Sequence, residues 1–141
     1  MIVIFTDIDG VLNPHWKKKW SKSAISVYNR ICKEYDLKPV ITSTWRLNHT
    51  ISELQKIFIE QGIEVTIYDY TPHINQSDRG LEIKEWLNNN KCDNWVIIDD
   101  KTSDIEPHIS NVVKCRSWIV IMRKDGSIKS RIEPYRPKVK K

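Results

Sequence analysis

Three places in this sequence set reactive side chains directly after a short apolar run. Asp7 and Asp9 follow Ile2-Val-Ile-Phe-Thr6, Thr42 and Ser43 follow Val40-Ile41, and Asp99 and Asp100 follow Trp95-Val-Ile-Ile98. Carboxylates gathered at one place repel and raise one another's pKa unless a cation neutralises them. Hard oxygen donors with few imidazoles suit Mg²⁺, which keeps waters and takes a substrate phosphate oxygen as a further ligand. A carboxylate facing such a site can attack phosphorus and form an aspartyl phosphate. A second carboxylate two residues on in extended chain lies on a different line and can reach the leaving oxygen. An Asp-x-Asp-Gly segment standing alone reads as a turn. After one buried strand, and with a second acidic pair after another, it reads as a phosphate and metal site.

Such convergence needs parallel strands, and the chain supplies the pattern for them. Residues 2–6 are a β-branched apolar run, a buried strand. The spacing of Ala24, Tyr28, Ile31 and Tyr35 predicts a helix over 21–35. Residues 39–42 read as the second strand, with Pro39 at its first position. Thr50-Ile-Ser-Glu53 is a capping box opening a helix with Ile51, Leu54, Ile57 and Phe58 inward, closed by Gly62. A third strand is expected at 64–68, then a helix from Arg79 to about Asn89 capped by Asp78. A fourth strand is expected at 95–98 and a fifth at 117–122, with Asp125-Gly126 as a turn into a returning hairpin strand over 127–132. Alternating strands and helices imply an α/β fold: one Rossmann-like, doubly wound, mostly parallel sheet, whose ligands bind beyond the carboxyl ends of the strands.

The residues at those strand ends resemble the haloacid dehalogenase (HAD) superfamily. Ile2-Val-Ile-Phe-Thr-Asp7-Ile-Asp9-Gly10-Val-Leu12 looks like its first motif, hhhhDxDGxL. Val40-Ile-Thr42-Ser43 resembles the second, and Val96-Ile-Ile-Asp99-Asp100-Lys-Thr-Ser-Asp104 the fourth. The resemblance implies Asp7 as nucleophile and Asp9 as acid and then base. It implies that Thr42, with Ser43, holds the transferring phosphoryl group. For Mg²⁺ it implies Asp100, the Asp7 carboxylate and the Asp9 backbone carbonyl, with Asp99 and Asp104 supporting the metal shell. An acid at position 9 separates this pattern from the dehalogenases and ion pumps and implies phosphatase or phosphotransferase chemistry. The third motif requires a cation near the start of the helix before the fourth, and Arg79 and Lys84 are both candidates. The stretch Arg79-Gly-Leu-Glu-Ile-Lys84-Glu-Trp86-Leu87 resembles a subgroup associated with nucleic-acid repair proteins and phages. Thr44-Trp45-Arg46 resembles the phosphatase half of polynucleotide kinase–phosphatases, which implies that Arg46 reaches a substrate phosphate. Trp45 is expected to pack under a loop.

Substrate size follows from what is missing between the motifs. Only 32 residues separate Asp9 from Thr42, and a helix takes half of them, so a minimal cap or none is expected and the site is open. His15-Trp16-Lys17-Lys18-Lys19-Trp20 falls in the flap after the first motif. Trp16, Lys17 and Trp20 there either stack on bases and pair with phosphates or staple the flap to the core.

The chain has 141 residues and a formal net charge of +5. Residues 123–141 carry eight basic and two acidic side chains, a net +6, which leaves residues 1–122 at −1. We therefore expect a catalytic domain over 1–122 and a basic extension over 123–141, a hairpin and then a flexible tail. That extension is either a landing strip for a phosphate-rich partner or a solvated end. Together these features predict a Mg²⁺-dependent phosphatase acting on phosphorylated DNA or RNA ends, with a 3′-phosphate favoured. The competing readings are a phosphatase of nucleotides or sugar phosphates and a non-enzymatic binding module on the same scaffold. The apolar run near the N-terminus is too short for a membrane span. Three cysteines at wide spacing suggest neither a disulfide framework nor a zinc site, and a cytoplasmic protein with no membrane partner is expected.

Overall fold

The computed structural model describes residues 1–13, 18–74 and 78–99, together with the backbone of three further strands. Strand β1 (Ile2–Thr6) is followed by α1 (Lys22–Glu34), β2 (Leu37–Ile41) and a short 3₁₀ helix, Thr44–Leu47. Then come α2 (Ile51–Glu60), β3 (Asp69–Tyr70), α3 (Arg79–Asn89), β4 (Asn94–Asp99) and β5 (Val112–Lys114). These strands form one sheet in the order β3-β2-β1-β4-β5, and every pairing in it is parallel. A separate antiparallel pair joins β6 (Val120–Met122) to β7 (Ile128–Arg131), on either side of Asp125-Gly126.

Strand alternation divides the core. Ile4 and Ile8 face a large cluster with Tyr28, Ile31, Leu54 and Phe58 from α1 and α2. Val3 and Phe5 point the other way, to Val40, Ile97, Ile83 and Trp86. Phe5 and Trp86 meet edge to face at 5.5 Å, and Trp86 Nε1 donates to Asp69 Oδ2 at 2.8 Å, which ties α3 to β3. The sheet is thus covered on both faces, as parallel sheets require.

The helix ends are locally encoded. Ser21 caps α1 by accepting from the Ala24 N–H, and Asp78 caps α3 by accepting from Leu81. Both arms of the Thr50–Glu53 capping box form, and the resulting hydrogen bonds hold the Glu53 carboxyl below its ordinary range. Gly62, at φ 94°, lets Ile63 N–H reach the Phe58 carbonyl and its own N–H reach Ile59, a Schellman ending.

Three strand expectations require correction. β2 begins at Leu37 and holds Pro39 at its third position. The carbonyls of Pro39 and Ile41 both accept from the β3 side, from Tyr68 and Thr71, whereas Thr42 N–H donates to Thr6 of β1. The donor that proline lacks therefore faces the side where β3 has not yet begun pairing, which is where a sheet tolerates proline. The strand expected at 64–68 is instead an irregular run, and β3 is Asp69–Tyr70. Side-chain amides take the bonds a ladder would have used there. Asn29 accepts from Glu64 N–H, and Gln55 accepts from Ile67 while donating to the Val65 carbonyl. The fifth strand of the sheet is Val112–Lys114, too short to show a period, while Val120–Met122 belongs to the antiparallel pair.

Candidate active site

Register brings the reactive ends together. Thr6 is level with Ile41 on one side and Ile98 on the other, so Asp7, Thr42 and Asp99 stand side by side beyond the carboxyl edge. Asp7 N–H donates to the Ile98 carbonyl and Thr42 N–H to that of Thr6, which continues the ladder one step into the site. Asp7, Thr42, Ser43 and Asp99 are all buried. The chain then turns sharply: Val11 and Asn13 N–H groups both return to the Ile8 carbonyl, and Gly10 adopts φ 87°, a conformation glycine takes without strain. Asp9 sits at the head of that turn, half-buried.

Arg79 joins the carboxylates. As the first residue of α3 it projects Nη1 to 2.6 Å from Asp99 Oδ2 and 3.3 Å from Asp7 Oδ2. One guanidinium therefore offsets two buried acids that would otherwise repel. Lys84, the other candidate cation, is exposed on α3. Of the two, Arg79 is the one brought to Asp7.

Arg46 is elsewhere engaged, and the expectation that it reaches a substrate phosphate is corrected. Its side chain is only 3% exposed and pairs with Glu82, 6% exposed, at 2.9 Å. Nε donates to the Thr71 carbonyl, Nη1 to those of Thr42 and Ser43, and Nη2 to that of Pro72. A guanidinium has five N–H donors, and these acceptors with Glu82 use all of them. Burial lowers the Arg46 pKa, and Glu82 works against that shift. Arg46 is a clamp binding the end of β2 to the segment after β3 and to α3.

Trp20 is likewise a staple. It is buried, edge-on to Trp45 and to Phe58, so its ring has no face left for a base. Trp16 and Lys17 lie outside the described residues, as do Asp100 and Asp104. Trp45 does more than pack. Its Nε1 donates to Asp9 Oδ2 at 3.0 Å. The only signal for this in the sequence is that a half-buried indole N–H, a donor and nothing else, needs an acceptor. Glu82 was also missed; it pairs with Arg46 and accepts from the Ile74 N–H, and His73 Nδ1 lies 3.4 Å from its carboxylate.

The oxygen donors at this edge suit a hard cation such as Mg²⁺ in kind. Among the described residues no group of three or more His, Cys, Asp or Glu closes on one point, and the remaining expected ligands, Asp100 and Asp104, fall outside them.

A strand order of 3-2-1-4-5 with acids at the ends of β1 and β4, flanking the switch point, defines a HAD-like α/β domain, and the elements between its motifs leave no cap among the described residues. Residues 3–124 match the family described as the HAD domain in Swiss Army Knife RNA repair proteins, and the chain belongs to that family. No curated protein and no solved structure matches it. Among the described residues no helix is long and apolar enough to cross a membrane.

Proposed function

We propose that this domain is a Mg²⁺-dependent phosphomonoesterase that works through an aspartyl phosphate on Asp7 and takes phosphorylated nucleic-acid ends, with a 3′-phosphate favoured. The observation that carries the reading is the Arg79 guanidinium bridging Asp7 and Asp99 at the carboxyl edge, level with Thr42. An Asp7 oxygen attacks phosphorus, the bond to the leaving oxygen breaks, and that oxygen takes the proton from Asp9. Water then attacks the phosphorus of the aspartyl phosphate and gives its proton to Asp9. The Asp7 carboxylate departs with its electron pair, inorganic phosphate is released, and both residues return to their starting states. Thr42 holds the phosphoryl oxygens, and Arg79 screens Asp7 from the anionic substrate. Asp7, the Asp9 backbone carbonyl and Asp100 would hold Mg²⁺, supported by Asp99 and Asp104. When bound, the ion neutralises charge on the transferring phosphoryl group.

The RNA repair setting of the family, the lack of a cap among the described residues and the +6 charge of residues 123–141 support a nucleic-acid end as substrate. The test is phosphate release from 3′- and 5′-phosphorylated oligonucleotides, mononucleotides and sugar phosphates, with Mg²⁺ and with EDTA. Release from 3′-phosphorylated ends that needs Mg²⁺ and is lost in Asp7→Asn is expected. Retained turnover in Asp7→Asn would overturn the mechanism, and preference for a free nucleotide or sugar phosphate would overturn the substrate.

A further inference from the structure

We infer that Trp45 is a positioning residue that sets which oxygen of Asp9 carries the catalytic proton. The inference rests on the reading of Asp9 as the proton carrier and goes beyond it by assigning the two carboxyl oxygens different tasks. Trp45 Nε1 donates to Asp9 Oδ2 at 3.0 Å. An indole N–H can only donate, so Oδ2 must accept, and the carboxylic proton is placed on Oδ1. Oδ1 is thus the oxygen that gives its proton to the leaving group and later takes one from water. Trp45 itself exchanges nothing.

The indole is well placed to hold a carboxyl rotamer. It stands on the 3₁₀ helix that starts directly after Thr42 and Ser43, and its N–H on the backbone is capped by Ser43 Oγ at 3.2 Å. Trp20 packs edge-on to it at 5.5 Å. The His49 ring also stacks on it at 5.5 Å with 22° between planes, and His49 Nδ1 lies 2.9 Å from the Trp45 carbonyl. The end of β2 therefore positions the acid that follows β1, so the phosphoryl-holding segment and the proton carrier are set by one short helix.

The experiment compares the full chain with Trp45→Phe in Mg²⁺ on two probes, a 3′-phosphorylated oligonucleotide and p-nitrophenyl phosphate. The value read is kcat/KM, which covers the steps up to departure of the first leaving group. A sugar alkoxide needs a proton to leave; p-nitrophenolate does not. Losing this one hydrogen bond is expected to lower kcat/KM on the oligonucleotide about tenfold, with the p-nitrophenyl ester unchanged. Replacing the indole at residue 45 by a benzothiophene, which keeps the shape and lacks the N–H, is expected to give the same split. An equal loss on both probes in Trp45→Phe that the benzothiophene restores would show packing alone and overturn the proposal, as would no loss on either. Asp9→Asn separates the two levels. If it keeps oligonucleotide turnover, the role of Asp9 fails and the inference falls with it; if it loses turnover while the Trp45 variants do not, only the inference fails.

Discussion

Arg79 and Lys84 share helix α3 but not its end, and that difference decides their chemistry. Arg79 begins the helix, where Asp78 caps it, and meets Asp99 and Asp7; Lys84 is carried round to solvent. Arg79→Met is expected to lower kcat on the domain's phosphoester by 10²–10³-fold, roughly the loss seen when one preorganised charge-stabilising group is removed. Lys84→Ala is expected to leave kcat unchanged and stability within about 0.5 kcal/mol. Steady-state kinetics with urea unfolding checks both, and the reverse ranking would exchange their roles. Arg46 belongs to a different class. Arg46→Met strands the buried Glu82 carboxylate and is expected to cost about 3–5 kcal/mol, read from the urea midpoint. Arg46→Lys should recover little, since an ammonium offers three donors where five are in use. The sequence motif suggested a phosphate contact for Arg46 but could not show that the Thr71 and Pro72 carbonyls, from the segment after β3, take up part of its guanidinium.

Elements divide in the same way between what is encoded locally and what is decided across the sheet. The capping box at Thr50, the Asp78 cap and the Gly62 ending each depend on neighbours within a turn, and all were legible. The placement of β3 was not, because Asn29 of α1 and Gln55 of α2 bond the backbone at Glu64, Val65 and Ile67. The 3₁₀ helix was invisible for lack of a period, though it carries Trp45. Helix α1 shows the long-range kind of constraint at its plainest. Tyr28 Oη and Thr6 Oγ1 are 2.8 Å apart, a buried bond that pins α1 to β1 just before Asp7. Burial pushes the Tyr28 phenol well above its ordinary 10.0, and Cys32, one turn on, adds to the shift. Burial likewise raises the Cys32 thiol from 9.0 to about 12. Both folded values exceed the unfolded ones, so the unfolded chain releases its protons first as pH rises. Stability is therefore expected to hold below about pH 9 and to fall as pH climbs toward 12, by up to about 1.4 kcal/mol per pH unit for each group. Urea midpoints across that range would check the slope, and Cys32→Ala should remove the share of the thiol. A flat profile to pH 11 would mean that neither group is held neutral by the fold.

At the scale of the whole molecule, charge and architecture are separated along the chain. Residues 1–122 are nearly neutral at −1, with Asp7 and Asp99 gathered at the carboxyl edge; residues 123–141 hold the +6. A nearly neutral body has little long-range pull on a polyanion, so any attraction to a nucleic acid must come chiefly from the extension. That makes the substrate proposal measurable apart from catalysis. If the basic side chains of 123–141 neutralise phosphates of a single strand, log K for oligonucleotide binding falls with log salt at about −0.7 per contact. Deleting residues 137–141 removes Lys138, Lys140 and Lys141 and is expected to flatten that slope by about 2 if all three make contact. Turnover of p-nitrophenyl phosphate should be unchanged, because a minimal ester has no strand to hold. Binding titrations at several salt concentrations, with the shortened chain beside the full one, give the answer. A slope that does not change on deletion would assign the extension to solubility, and one no steeper than a single contact would favour a small phosphoester.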